Sequence, residues 1–182
     1  MARKIALGLG AILAIAAVVV ALQPAAFVVE RAVTIAAPAA AIYGHIASVR
    51  AMDEWSPWTK MDPRMQTVYD GPESGVGSRS SWEGPQMGKG RVTVTAVQPD
   101  REIEMRLEML APMEATNRVL FTLTPVDRAT SVTWHMEGRN GFVGKALSLF
   151  GDMDAMVGGP FEQGLASLKQ RVEADAQQHA LD

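Results

Sequence analysis

Apolar and polar residues alternate almost perfectly through four stretches in the middle of the chain, the period-2 pattern of strands with one dry face. Ile103, Met105, Leu107 and Met109 interleave with Glu102, Glu104, Arg106 and Glu108. Val92, Val94 and Ala96 repeat the pattern, as do Val119, Phe121 and Leu123, and then Val132, Trp134 and Met136. Turn residues separate the runs, so the spacing predicts an antiparallel meander. A further strand is expected from Phe27 to Ile35, ended by Ala36-Ala37-Pro38, where proline opens a helix carrying Ile42, Ile46 and Val49 on one stripe. That helix should end near Met52 to Glu54, and Trp55-Ser56-Pro57-Trp58 should be irregular, since the residue before proline is pushed out of the α region. Strands around Met65 to Tyr69 and Ser78 to Trp82 flank the turn-rich Gly71 to Gly77. After the meander come a short apolar helix from Phe142 to Phe150 and a helix from about Asp152 towards Gln177. On the latter, Met153, Val157, Phe161, Leu165 and Leu168 recur at spacings of three and four, an apolar stripe that must face the sheet. The order is β-α-β₆-α, an α+β fold.

The N-terminus departs from both periods. Ile5 to Leu22 carry no charged or polar side chain and follow Arg3 and Lys4. As a helix this run spans roughly 27 Å, close to a bilayer core. A cleaved secretory signal and an uncleaved anchor are both compatible with it. The run is longer than the usual apolar region of a signal, about 7 to 15 residues, which favours the anchor. In either case Arg3 and Lys4 keep the N-terminus on the cytoplasmic side and place the rest outside, membrane-anchored or secreted. The chain therefore divides into an N-terminal membrane segment, 1–26, and a domain, 27–182.

The 17 basic and 20 acidic residues give a net charge of −3, and removing Arg3 and Lys4 makes the domain more acidic still. Nucleic acid is an unsuitable partner for such a surface. Cysteine is absent, which excludes disulfides, thiolate nucleophiles and Cys-ligated metals. No paired-histidine spacing suggests zinc and no acidic loop suggests calcium, so neither metal nor cofactor is expected.

The chain resembles the SRPBCC superfamily, also called START-like or Bet v 1-like, and within it the polyketide cyclase/dehydrase-like group. The resemblance spans about Val28 to Glu173 and rests on several segments. These are Val29-Glu30-Arg31 through Ala37-Pro38, Trp55-Ser56-Pro57-Trp58 with Asp62-Pro63, Gly75-Val76-Gly77, Thr130 to Met136 with Gly138, and Met156-Val157-Gly158 leading into Phe161 to Lys169. It implies a helix-grip fold, a curved antiparallel sheet wrapped round a long C-terminal helix, with a cavity for a hydrophobic small molecule between them. It implies little about reaction, because fold does not give function.

The expected cavity lining is Trp55, Trp58, Met105, Leu107, Phe121, Trp134, Met136, Met153, Val157 and Phe161. Methionine suits a lining that adapts to variable apolar ligands, and it equally fills gaps in a core. Trp55 and Trp58 could form a pocket lip or a staple on the sheet edge. Gly158-Gly159-Pro160 should kink or restart the last helix, and the two glycines could leave ligand space beside Phe161. Gly75-x-Gly77 and Gly88-x-Gly90 read as turns. Catalytic constellations are thin and no catalytic residue is assigned. His179 is in the tail, His135 should face solvent, and His45 adjoins the apolar stripe of the first helix, where a structural role is the commoner one. Asp53, Glu54 and Asp62 flank the tryptophans, where a carboxylate could serve as a general base, although nothing in the sequence desolvates them. The expected function is a membrane-tethered extracytoplasmic domain, monomeric, that binds or carries a hydrophobic molecule such as a lipid, quinone or polyketide. The alternative is a cyclase- or dehydrase-like enzyme.

Overall fold

The computed structural model describes residues 2–149, 151 and 153–179; the side chains of residues 2–7, 13, 147 and 179 lie outside the description. Phe150 and Asp152, at which two of the expected helix boundaries fall, are likewise outside it. Helix α1 (Ala2–Leu22) precedes strand β1 (Ala26–Ile35), three short helices, α2 (Ala39–Ala47), α3 (Val49–Trp55) and α4 (Pro57–Met61), and six further strands. The strands are β2 (Gln66–Asp70), β3 (Arg79–Gly84), β4 (Gly88–Gln98), β5 (Glu102–Ala111), β6 (Ala115–Val126) and β7 (Ala129–Arg139). Helices α5 (Phe142–Leu147) and α6 (Met153–His179) end the chain. The sheet is seven-stranded and antiparallel, in the order β1-β7-β6-β5-β4-β3-β2.

Among the described residues no helix is long and apolar enough to cross a membrane. The expected span from Ile5 to Leu22 includes residues 5–7 and 13, whose side chains lie outside the described residues.

The alternation places side chains as its period requires. Val29, Val94, Ile103, Met105, Val119, Phe121, Leu123, Val132, Trp134 and Met136 are buried in one core with residues of α2, α3 and α6, while Glu104, Arg106 and His135 face outwards. The outer face is laced with ion pairs, among them Arg118 with Glu104 and Glu137, Arg91 with Glu108, and His135 with Glu30. A bulge between Val94 and Ala96 keeps Val97 on the inner face opposite Ile103. Helix α6 is stitched along β1: Arg31 pairs with Asp154 and Glu162, Lys169 Nζ donates to the Thr34 carbonyl at 2.7 Å, and the Ala36 amide donates to Glu173 at 2.9 Å. It therefore runs from the end of the sheet where β1 starts to the end where β1 finishes.

Four local expectations change. The first helix is two, because Ser48 leaves helical geometry and its hydroxyl caps α3 by accepting from the Ala51 amide. Trp55 and Trp58 are helical; only Ser56, the residue before Pro57, stays outside the α region. Helix α6 continues through Pro160 without a restart. Of the two glycine pairs read as turns, Gly75 and Gly77 have positive φ in the β2–β3 loop, whereas Gly90 lies inside β4.

Candidate functional site

The interior between sheet and α6 has two halves. In the first, four aromatic rings fill the space. Trp134 stacks on Phe161 with centroids 3.9 Å apart and an interplanar angle of 11°, Phe121 lies 5.0 Å from Trp134, and Trp55 meets both Phe121 and Trp134 edge-on at 6.1 and 5.7 Å. Trp55 is anchored by its indole nitrogen, which donates to the His45 carbonyl at 2.9 Å. It is a core residue and not a pocket lip. Gly164 admits the cluster: a Cβ there would lie 2.9 Å from the Trp134 ring and 3.1 Å from Pro57. The space beside Gly158 is likewise taken, because a Cβ there would meet the Arg31 guanidinium at 2.1 Å, and Gly159 is exposed. These glycines make room for protein side chains rather than for a ligand.

Six of the ten expected lining residues, Trp55, Met105, Phe121, Trp134, Met136 and Phe161, thus belong to the packed core. The other four, Trp58, Leu107, Met153 and Val157, are only half-buried, although they pack against that core. They mark the second half, towards the end of the sheet where β1 begins. There the inner-face register runs Phe27, Gly138, Asn117, Leu107, Val92 and Ser80 across the strands, with Trp82, Gly90 and Met109 in the next row out. Phe27, Trp82, Leu107, Met109 and Asn117 face α6 by register yet remain partly exposed, so this end of the interior is open.

Unpartnered polar atoms collect on this inner face. Trp82 Nε1 and Asn117 Oδ1 are buried without a hydrogen-bond partner, as is Trp134 Nε1 deeper in. Buried polar atoms are ordinarily paired, and leaving one unpaired costs about 1 to 3 kcal/mol. Trp82 and Asn117 were missed in the sequence reading, and the strand glycines opposite them were the available signal. A Cβ on Gly90 would lie 2.5 Å from the Trp82 ring, and one on Gly138 would lie 2.0 Å from Asn117 Oδ1. A glycine inside a strand marks a close approach of this kind.

Helix α4 closes one side of the open end. Its C-cap Asp62 is buried, and one carboxylate oxygen accepts from the Gln86 and Met87 amides of the β3–β4 hairpin at 2.8 and 3.0 Å. Burial opposes ionisation of Asp62, but these amides and that of Arg64 outweigh it and hold the carboxyl below its ordinary value. Asp62 is a clamp, not a base.

Asp53 is different. Burial pushes its carboxyl up, against hydrogen bonds donated by Tyr69 at 2.9 Å and Ser80 at 3.3 Å. Tyr69 is itself raised to about 12 by burial and by the Asp53 charge, with the Arg50 guanidinium 4.2 Å above its ring. A carboxyl with a raised folded-state value binds its proton more tightly folded than unfolded. Its contribution therefore favours the fold least above that raised value, and stability is lost as pH climbs to it from the ordinary 3.8. Asp53→Asn should remove that loss, so the variant gains on the parent chain as pH rises through the interval above the ordinary 3.8. Denaturant titrations of both chains across this interval test it, and a difference that does not change with pH would contradict it. His45 pairs with Asp175 of α6 at 3.5 Å and ties α2 to that helix.

A depression of about 760 Å³ is lined mainly by outward residues of the sheet, among them Thr95, Glu104, Arg106, Arg118 and Glu137, and also by Phe27, Asn117 and Gly138. Of its charged residues, Arg118 pairs with Glu104 and Glu137.

From residue 26 to residue 173 the chain matches the family described as polyketide cyclase / dehydrase and lipid transport. Its structure is similar to that of norcoclaurine synthase from Thalictrum flavum, a point mutant in complex with a transition-state analogue, with a TM-score of 0.63 and 11% identity over 85% of this chain and 99% of that one. It is also similar to protein CV1439 from Chromobacterium violaceum, with a TM-score of 0.59 and 15% identity over 80% and 96% of the two chains. For the Aha1 dimer from Colwellia psychrerythraea the TM-score is 0.58 and the identity 19%, over 81% and 96%. No curated protein matches. The structural likenesses establish the Bet v 1-like fold alone, whereas the family match covers most of the sequence: the chain belongs to the polyketide cyclase / dehydrase and lipid transport family of the SRPBCC superfamily.

Proposed function

We propose that this protein is a membrane-tethered, extracytoplasmic domain that holds or carries a hydrophobic small molecule in the open end of the interior, bounded by Phe27, Trp58, Trp82, Leu107, Asn117 and Met153. The observation that carries the reading is a group of half-buried apolar side chains at one end of the inner face, with Trp82 Nε1 and Asn117 Oδ1 buried among them and unpartnered. Sites for small apolar ligands have this composition, an apolar lining with a few placed polar groups. The family description, which includes lipid transport, agrees with it. A ligand fitting these groups is largely apolar and carries polar groups of two kinds, an acceptor for the indole on β3 and a donor for the amide oxygen on β6.

The test is extraction of the purified full-length chain followed by mass spectrometry of the extract, with titration of an environment-sensitive apolar dye. Leu107→Asp should weaken dye binding strongly, because it puts a carboxylate on the cleft wall. Its stability cost should be modest, since Leu107 is only half-buried. Unaltered dye binding in Leu107→Asp, with no extractable apolar molecule in the parent chain, would exclude the cleft as the site.

The tether rests on α1. Leu9, Ile12, Ile15, Val18 and Leu22 are all exposed on it, and a run of large apolar side chains of this kind is not kept in water. Arg3 and Lys4 ahead of it orient the domain outwards. The chain should fractionate with membranes at its unprocessed mass, and a mature N-terminus between Ala21 and Phe27 would refute the anchor.

The alternative, a cyclase- or dehydrase-like enzyme, is favoured by one observation. Asp53, raised by burial, touches Ser80 at the β3 end of the inner-face row. In that reading Asp53 moves a proton, and Asp53→Asn abolishes turnover while leaving ligand uptake intact.

A further inference from the structure

The exposed large apolar residues of the domain are not spread evenly. In the antiparallel sheet one end carries the start of β1, the end of β7, the β5–β6 turn and the β3–β4 hairpin. Helix α1 leads into β1 at this end, and α5 follows β7 there. Leu110 and Met113 of the β5–β6 turn and Met61 at the end of α4, which Asp62 clamps to the hairpin, are exposed at this end. So are Phe142, Val143, Leu149 and Met156 on α5, after it and on the first turn of α6. Val68, Val76 and Val126, the other exposed large apolar residues of the domain among the described residues apart from Val28, are isolated, and the last two lie at the opposite end, in the β2–β3 loop and at the end of β6.

This apolar rim is continuous with α1. Val20 is buried, and Lys145 Nζ of α5 donates to the Ala21 carbonyl at 3.0 Å, so the last turn of α1 is seated against α5. Exposed Lys60, Arg64, Lys89 and Arg139 stand around the same rim, together with Glu83, which pairs with Lys89, and Glu114. Basic residues flanking exposed apolar ones are the composition of a surface that lies in a headgroup layer.

We propose that the end of the sheet from which α1 emerges rests on the bilayer, with Phe142, Val143, Leu149 and Met156 in the boundary between headgroups and acyl chains, and that the open end of the interior faces the lipid. The proposal rests on the tether and on the cleft described above, and adds the orientation of one to the other. An apolar ligand then passes between bilayer and cleft without crossing water. The cost of exposing these side chains in solution, at about 25 cal/mol per Å² of apolar surface, becomes a gain on docking.

The absence of cysteine makes the test direct. Met113→Cys, Phe142→Cys, Met156→Cys, Val76→Cys and Val126→Cys are made singly in the full-length chain, labelled with a small fluorophore and reconstituted into vesicles of phosphatidylcholine and phosphatidylglycerol. Labels at 113, 142 and 156 should be quenched several-fold more by nitroxide on lipid acyl chains than by aqueous iodide, and labels at 76 and 126 the reverse. If the chain floats with vesicles but all five labels remain equally open to iodide, the seat is overturned while the tether and the cleft stand. A chain that does not float with vesicles overturns the tether and the seat together. Ligand extraction reports on the cleft independently of either result.

Discussion

Phe161→Ala should lower the stability of this protein by about 3 to 5 kcal/mol, the cost of a large-to-small change in a filled core. Phe161 is 2% exposed and lies flat on Trp134, which is held in turn by Phe121 and by Trp55, whose indole is fixed to the His45 carbonyl. A site collapses after truncation only if its neighbours can move into the space. Here the neighbours are rings, already wedged by the close approach of Gly164 to Trp134 and Pro57. The cavity should therefore persist. Denaturant unfolding of the parent and variant chains measures the loss, and a loss below about 1.5 kcal/mol would mean that this half of the interior is loosely packed. Ligand uptake should change little, since the aromatic cluster lies below the open end and not in its wall.

The second large effect is that of Met105→Asp. Met105 is 1% exposed at the centre of β5, flanked in the register by Val94 and Val119. A carboxylate there must lose its hydration or take up a proton, at a cost of several kcal/mol against a total stability of about 5 to 15 kcal/mol in ordinary domains. The chain should be largely unfolded at 37 °C. Glu104→Gln, one residue away, should cost less than about 1 kcal/mol, because Glu104 faces outwards and loses only its pairing with Arg118. Thermal unfolding followed by circular dichroism compares the two. Similar melting temperatures would invert the face assignment of the whole strand, since a slip of one residue moves every side chain to the other side of the sheet.

The faces of the strands were legible because alternation is a direct record of which side is dry. Met105, Phe121 and Trp134 were assigned to the interior on that basis alone, and the stripe from Met153 to Leu168 identified the helix they meet. Alternation carries no information on depth. Met105 and Leu107 occupy equivalent positions in the pattern, yet one is core and the other borders open space, a difference decided by how far α6 and α4 reach over the sheet. Arg31 shows the same limit: it stands in the inner-face register opposite Trp134, where a charge looks misplaced until Asp154 and Glu162 of α6 are brought to it. Gly90 and Gly138 were visible as glycines within strand patterns, but the rings and amides that require them lie on neighbouring strands. The burial of Asp53, and the hydrogen bonds from Tyr69 and Ser80 that oppose its effect, depend on residues many positions away in sequence.

The stack of Trp134 on Phe161 also sets a ruler. A molecule entering from the row of Trp82 and Met109 passes the row of Leu107 and is stopped at the packed row of Met105, behind which the aromatic rings lie, after roughly 14 Å at about 3.4 Å per residue. A long acyl chain cannot be swallowed whole at that depth. Such a stop discriminates by the girth and polarity of the inserted end and is indifferent to how much tail trails behind, so homologous ligands of different chain length should compete on nearly equal terms.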